Sequence, residues 1–268
     1  MPLSRNIREP DRISLSLSEP RLVSRFQAGR IALASVAFML ANVALAQAPA
    51  EPPQKSEKAA ERPPIAFFVA EGEPDACGPG CSAWIAAMGP IDHRAALRLR
   101  ATLDRVKDRK LPIYFFSPGG NGMAAMEIGR VLRQAGAAAG VGRTTVEECP
   151  SNDERCQKLV QSGRPLRAKL DFVDAVCASA CVFALVGAAK RDIHPRARVG
   201  VHRAMSVGVP GPPGYVVVDP DPHLILRIGR YLRDMGIDHG LYELMASTPN
   251  QRIRYLTPDE IERWIVTR

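Results

Sequence analysis

Apolar and polar positions along the chain change period several times, and the changes mark its elements. Ile65 to Ala70 (IAFFVA) and Trp84 to Met88 (WIAAM) are short, nearly continuous apolar runs, the pattern of buried strands. Between them, Cys77-Gly-Pro-Gly-Cys81 reads as a turn. Ala96, Leu99, Leu103 and Val106 recur at spacings of three and four with charged residues between them, which predicts an amphipathic helix. Leu111 to Phe116 (LPIYFF) predicts a buried strand, and Asn121 is placed to cap a helix running to about Gln134. Ala137 to Thr145 is a fourth strand candidate. Residues 146–170 are polar, and read as an excursion or insertion carrying Cys149 and Cys156. Cys181 to Gly187 (CVFALVG) is apolar throughout and predicts a buried helix, and Val199 to His202 a short strand. Ile225, Ile228, Leu232 and Met235 set a further helix after the Pro/Gly stretch Gly208 to Gly214, which reads as a connector or a cover. Strands alternating with helices predict one α/β domain with mostly parallel pairing, over residues 65–268.

Upstream of this domain the pattern is different. Residues 31–46 (IALASVAFMLANVALA) are uncharged and almost wholly apolar or small, and Arg21, Arg25 and Arg30 precede them. Ala44-Leu45-Ala46 has the small-x-small form of a signal-peptidase site, so residues 1–46 read as an export signal, or alternatively as an N-terminal membrane anchor. Either reading sends the rest of the chain to the periplasm or outside the cell, free or tethered to the inner membrane. Residues 47–64 hold five prolines and no large apolar side chain before Ile65, the composition of a disordered tether. The net charge is +8. Six of the arginines lie in the first 46 residues, and no basic stripe is interleaved with aromatics, so nucleic acid is not an expected partner.

The six cysteines agree with export. Cys77, Cys81, Cys149, Cys156, Cys177 and Cys181 fall into three pairs close in sequence, which in an oxidising compartment suggests three local disulfides. The spacings match no zinc ribbon or finger, and no metal or cofactor is expected. A Cys156–Cys177 bridge stays open, because connectivity does not follow from spacing.

Four local features carry the chemistry: Gly89-Pro90-Ile91, Ser117-Pro118-Gly119-Gly120, Cys177-Ala178-Ser179-Ala180-Cys181 and Val199-Gly200-Val201-His202. In this order and spacing they resemble the proteolytic subunit of Clp protease and the wider crotonase-like superfamily. The resemblance implies a ClpP/crotonase-like α/β fold of repeated ββα units. It makes Ser179 the nucleophile at a helix N-terminus and His202, 23 residues on, its base. It places the oxyanion hole at the backbone of Gly119, Gly120 and Ala180. The signal segment and the C-x-S-A-C run are similar to exported Clp-like proteins of Gram-negative bacteria. The implied function is an exported serine hydrolase, a peptidase on peptide or protein substrates. The alternative is a non-catalytic binding or assembly protein on the same scaffold.

The departures support that alternative. Where the family places its catalytic Asp, this chain has Ser247-Thr248-Pro249-Asn250-Gln251-Arg252-Ile253, with no carboxylate. Glu243 and Asp259 flank the stretch, and Asn250 is the candidate orienter of the imidazole through its amide oxygen. A Ser/Lys arrangement would call on Lys190, which falls in a turn. A crotonase-type acyl-CoA enzyme is disfavoured by export, which also separates the chain from any cytoplasmic Clp ATPase. His93, His194, His223 and His239 lack such context and read as surface residues. The prolines of Asp219-Pro220-Asp221-Pro222 exclude a long helix before Leu224, so a monomer or small homo-oligomer is expected rather than stacked rings.

Overall fold

The computed structural model describes residues 63–149, 153–211, 214–218 and 221–267. The signal segment and residues 47–62 of the tether lie outside the described residues. The order of elements is β1 (Ala66–Glu71), β2 (Ala83–Met88), α1 (Ala95–Arg105), β3 (Ile113–Phe116), α2 (Gly122–Gln134), β4 (Ala138–Val141), β5 (Arg143–Val146), α3 (Glu154–Gln161), β6 (Leu166–Asp171), β7 (Val176–Ala178) and α4 (Ala180–Gly187). There follow β8 (Lys190–Arg191), β9 (Arg198–Val201), β10 (Ser206–Gly211), β11 (Gly214–Val218), α5 (Pro222–Asp234), α6 (His239–Ser247), β12 (Arg254–Tyr255) and α7 (Pro258–Trp264).

Seven strands form one sheet in the order β5-β6-β1-β2-β3-β4-β8, and β12-β9-β7 form a second. β2, β3, β4 and β8 run parallel, as β1 and β6 do, whereas β1–β2 and β5–β6 are antiparallel. The fold is therefore α/β with a mostly parallel sheet, as the alternation of patterns predicts.

Strand alternation splits the apolar residues between two cores. Phe67, Ile85, Ala87, Ile113 and Phe115 point to one face and pack with α1, α2 and α4. Phe68, Ala70, Trp84 and Ala86 point to the other face, where Val146, Leu166 and Ala168 of the β5–β6 pair and the Cys149–Cys156 region fold back over them. α4 has no polar face, and all eight of its residues are buried. It crosses α2 where Gly187 meets Gly129, since a Cβ on Gly187 would stand 2.1 Å from the Gly129 Cα. No residue with a side chain allows that approach.

Three expectations change. The strand expected from Ala137 to Thr145 is broken at Gly142, whose N–H bonds to the Phe115 carbonyl. This turns β5 out of β4's line to pair with β6. Residues 146–170 are an excursion only in part: α3 sits within them, but Leu166 begins a strand interior to the main sheet. The alternation Leu166-Arg-Ala-Lys-Leu170 was half polar because only one face is buried. The Pro/Gly stretch is neither loop nor plain connector, since β10 and β11 form an antiparallel hairpin with an irregularity between Val207 and Pro210.

Candidate active site

The site is built where the two sheets meet. Ser117 follows β3; its N–H bonds to the Val176 carbonyl (2.9 Å) and its carbonyl accepts from Ala178 (3.0 Å). The SPGG loop is thereby tied to the strand that leads to Ser179. The loop is also tied to the end of β2. Ile91 donates to Gly119 O (2.7 Å), and Asn121 donates to Ile91 O (2.7 Å). Asn121 caps α2 by accepting from the Ala124 N–H, as its position predicts.

Ser179 has φ 57° and ψ −126°, a left-handed conformation rare for a residue with a side chain. Such a position costs about 1–3 kcal/mol and persists only where its surroundings fix it. Three contacts fix it here. Its N–H bonds to Gly200 O in β9 (2.8 Å), its carbonyl accepts from Val182 in the first turn of α4 (3.1 Å), and the Cys177–Cys181 disulfide brackets it, with Cα atoms 5.3 Å apart. The hydroxyl does not cap α4, although it stands at the N-cap position. It faces His202 instead.

His202 follows β9 directly. Its Nε2 lies 2.6 Å from Ser179 Oγ, and its Nδ1 lies 2.9 Å from the carbonyl oxygen of Arg203. A carbonyl can only accept, so Nδ1 carries the ring proton and Nε2 is left with a lone pair toward the serine. That is the tautomer a general base requires. The Arg203 peptide is held in turn, because its N–H donates to Thr248 O (2.8 Å) at the end of α6. Thr248 is buried, and its hydroxyl bonds to Leu244 O (2.7 Å). Beyond it, β12 pairs with β9 at Arg254 and Val201.

The glycine loop lies directly on the serine turn. A Cβ on Gly119 would stand 2.7 Å from both Ala178 O and Ser179 Cβ, and 2.9 Å from Ala180 N. Gly119 and Gly120 both have positive φ (103° and 132°). Among the described residues the N–H groups of Gly120 and Ala180 have no partner, whereas the Gly119 N–H donates to the buried Ser117 hydroxyl (3.1 Å). Of the three backbone groups expected at an oxyanion hole, two are therefore free, and one is bonded within its own loop.

The other residues singled out in the sequence fall elsewhere. Asn250 does not hold the imidazole: Nδ1 is taken by Arg203 O, and Asn250 Oδ1 is buried without a hydrogen-bond partner. Glu243 pairs with His239 on the surface of α6. Lys190 lies past the opposite end of α4 from Ser179, about 12 Å along the helix at 1.5 Å per residue, so no Ser/Lys pair is brought together. His93, His223 and His239 are exposed as expected, but His194 is half-buried and stacks on Phe172 with centroids 4.7 Å apart. All six cysteines are in sequence-local disulfides, Cys77–Cys81, Cys149–Cys156 and Cys177–Cys181, and no bridge joins Cys156 to Cys177.

Two residues that sequence reasoning missed support the helix behind the serine. Arg191 is buried and donates to the carbonyls of Val186 (2.9 Å), Ala188 (2.7 Å) and Ile265 (2.5 Å). Arg133 donates to Gly187 O (2.9 Å), Val186 O and Met235 O. Both place positive charge at the C-terminal end of α4, where it complements the helix dipole. Burial, with the Arg133 charge second, pulls the Arg191 guanidinium down to about 10.

No family model and no curated protein matches the chain. Among solved structures it is similar to a serine-to-alanine variant of the 1510-N membrane-bound stomatin-specific protease. That match is at 14% identity, covering 68% of this chain and 75% of that one, with a TM-score of 0.44. It is likewise similar to a lysine-to-alanine variant of the same protease in complex with a substrate peptide, at 14% identity over 68% and 71% of the two chains and a TM-score of 0.45. At that distance the likeness assigns no activity to this chain. Among the described residues no helix is long and apolar enough to cross a membrane, and the three disulfides fit an oxidising compartment.

Proposed function

We propose that the chain is an exported serine hydrolase of the Clp type, with Ser179 as nucleophile and His202 as general base. The 2.6 Å contact between Ser179 Oγ and His202 Nε2 carries this reading. A serine hydroxyl is a weak nucleophile until a base removes its proton. Here the base is in hydrogen-bond reach, and its other nitrogen is held as a donor. Ser179 Oγ attacks an acyl carbonyl while its proton passes to His202 Nε2. The developing oxyanion meets the N–H groups of Ala180 and Gly120 at the N-terminus of α4, where the helix dipole favours negative charge. Collapse of the intermediate returns the proton from Nε2 to the leaving group, and water repeats the sequence on the acyl-enzyme. By resemblance in sequence, a peptide bond is the expected substrate, in the periplasm or outside the cell. The chain works as a monomer or small oligomer and without a Clp ATPase.

The Arg203 carbonyl stands where a triad has its carboxylate. Replacing a triad Asp with Asn costs about 10⁴ in rate because it selects the wrong tautomer. A backbone carbonyl avoids that loss, since it accepts from Nδ1–H. It lacks the negative charge that stabilises an imidazolium, so turnover is slow. The same lack of a carboxylate favours the second reading, a binding or assembly protein that keeps the pair without using it. The two are separated by hydrolysis of a p-nitrophenyl ester and a fluorogenic peptide. Turnover above background that disappears in Ser179→Ala supports the hydrolase, and equal background rates in both proteins support the scaffold.

A further inference from the structure

A second feature opens beside this site. An open cavity of about 580 Å³ on the main sheet is lined by Phe68, Met88, Phe116 and Val160, with Arg143 and Gln157 beside them. It belongs to the second core, on the face of the sheet away from α1, α2 and α4, and α3 is fastened over it by the Cys149–Cys156 disulfide. Its size is in the range that takes a small ligand whole, and it exceeds what one amino-acid side chain fills. Pro90 and Pro118 are among its lining residues. Pro118 immediately precedes Gly119, the residue packed against Ser179 Cβ and Ala180 N. Through Pro118 the cavity's lining thus includes part of the SPGG loop that packs on the serine turn. Residues 47–62 of this chain, which precede the cavity's Pro63 and Pro64, are QAPAEPPQKSEKAAER and hold no large apolar side chain to fill it.

We infer that the cavity seats the apolar chain of a long-chain acyl group whose carbonyl lies at Ser179, so that the substrate is a fatty-acyl ester or amide. This rests on the Ser179–His202 hydrolase reading and replaces the peptide bond with a fatty-acyl ester or amide as its substrate. Phe68, Met88, Phe116, Val146 and Val160 give the lining an apolar majority, which holds an alkyl chain by removing it from water, while Arg143 and Gln157 bring polar groups to the same cavity. In the reaction, Ser179 Oγ bonds to the acyl carbon, and the bond from that carbon to the alcohol or amine breaks. The serine proton passes through His202 Nε2 to the leaving group. Water then adds to the acyl-enzyme, giving the free carboxylic acid and restoring the Ser179 hydroxyl.

The test uses the full chain with p-nitrophenyl acetate and p-nitrophenyl octanoate, and with fluorogenic peptides carrying Phe or Ala before the scissile bond. Val160→Trp and Gln157→Trp, both on α3 and lining the cavity, fill it from the wall. Two variants guard against one failing to fold, and cooperative melting checks each. The expected result is a kcat/KM at least tenfold higher for octanoate than for acetate. That ratio falls below about twofold in the filled variants. A ratio near one in the native chain, or one that survives filling, overturns the assignment. So does a cavity dependence confined to the Phe peptide. A fluorophosphonate probe run in parallel keeps the two readings apart. No labelling of Ser179 sinks the hydrolase and the acyl site together, whereas labelling without a chain-length preference sinks the acyl site alone.

Discussion

At Ser179 the backbone conformation and the hydrogen bonds serve one orientation of a hydroxyl. The left-handed backbone lifts the side chain off the N-cap role its position offers and turns it to His202. Gly119 packs against that turn, and its lack of a side chain is required twice, by its φ of 103° and by the 2.7 Å that a Cβ would leave to Ser179 Cβ. Gly119→Ala must therefore push the loop and the serine apart. The expected loss in kcat is at least 10²-fold, the scale of removing one oxyanion donor. Melting temperature and steady-state kinetics on the same preparation check it, and a folded variant with native kcat contradicts the placement. Ser179, His202 and the glycines were legible in the sequence only through the resemblance that four short motifs, in their order and spacing, bear to the Clp proteolytic subunit. The partner of His202 Nδ1 was not legible. It is a main-chain carbonyl, which every residue has, and only the fold selects the one on Arg203.

The elements around the site explain what the pattern of apolar positions could and could not tell. The strands up to β3 and the helices α1 and α4 were legible from continuous or three-four spaced apolar residues, and α2 from its Asn121 cap, since these elements bury apolar side chains in the two cores. The β10–β11 hairpin was not, because proline and glycine signal a turn without saying whether strands flank it. Nor were Arg133 and Arg191, whose burial at the end of α4 depends on elements far apart in sequence. One element contact has a pH signature. Arg254 of β12 holds the Glu260 carboxylate in a two-pronged ion pair, and Thr257 completes a capping box with it at the start of α7. The Arg254 hydrogen bond, followed by that from the Thr257 backbone, keeps the Glu260 carboxyl below its ordinary value of 4.5. A carboxyl lowered on folding contributes stability above its unfolded pKa and loses it as pH falls through the folded one. Glu260→Gln should lower the melting temperature at neutral pH, and the gap to the native chain should close as pH falls below 4.5. A gap that stays constant down to pH 2 contradicts the assignment.

For the whole molecule, one mostly parallel sheet, a short second sheet and three local disulfides make a frame on which the serine turn is fixed from four directions: β3, β9, α4 and the Cys177–Cys181 bridge. The region after His202 carries a two-stranded hairpin and then α5, which begins at Pro222. Among the described residues no long helix projects there to interleave two rings. Light scattering on the full chain should therefore give a monomer or a small oligomer, and a particle of fourteen subunits contradicts this. The central claim is that Ser179 and His202 act as one chemical unit, and active-site labelling tests it most directly. Native protein is treated with a fluorophosphonate, and the adduct is located by mass spectrometry of its peptides. The account predicts a single adduct on Ser179, absent in Ser179→Ala and formed at least 10³-fold more slowly in His202→Ala, with both variants folded. No adduct on Ser179 under native conditions, or one formed at the same rate without His202, would contradict it.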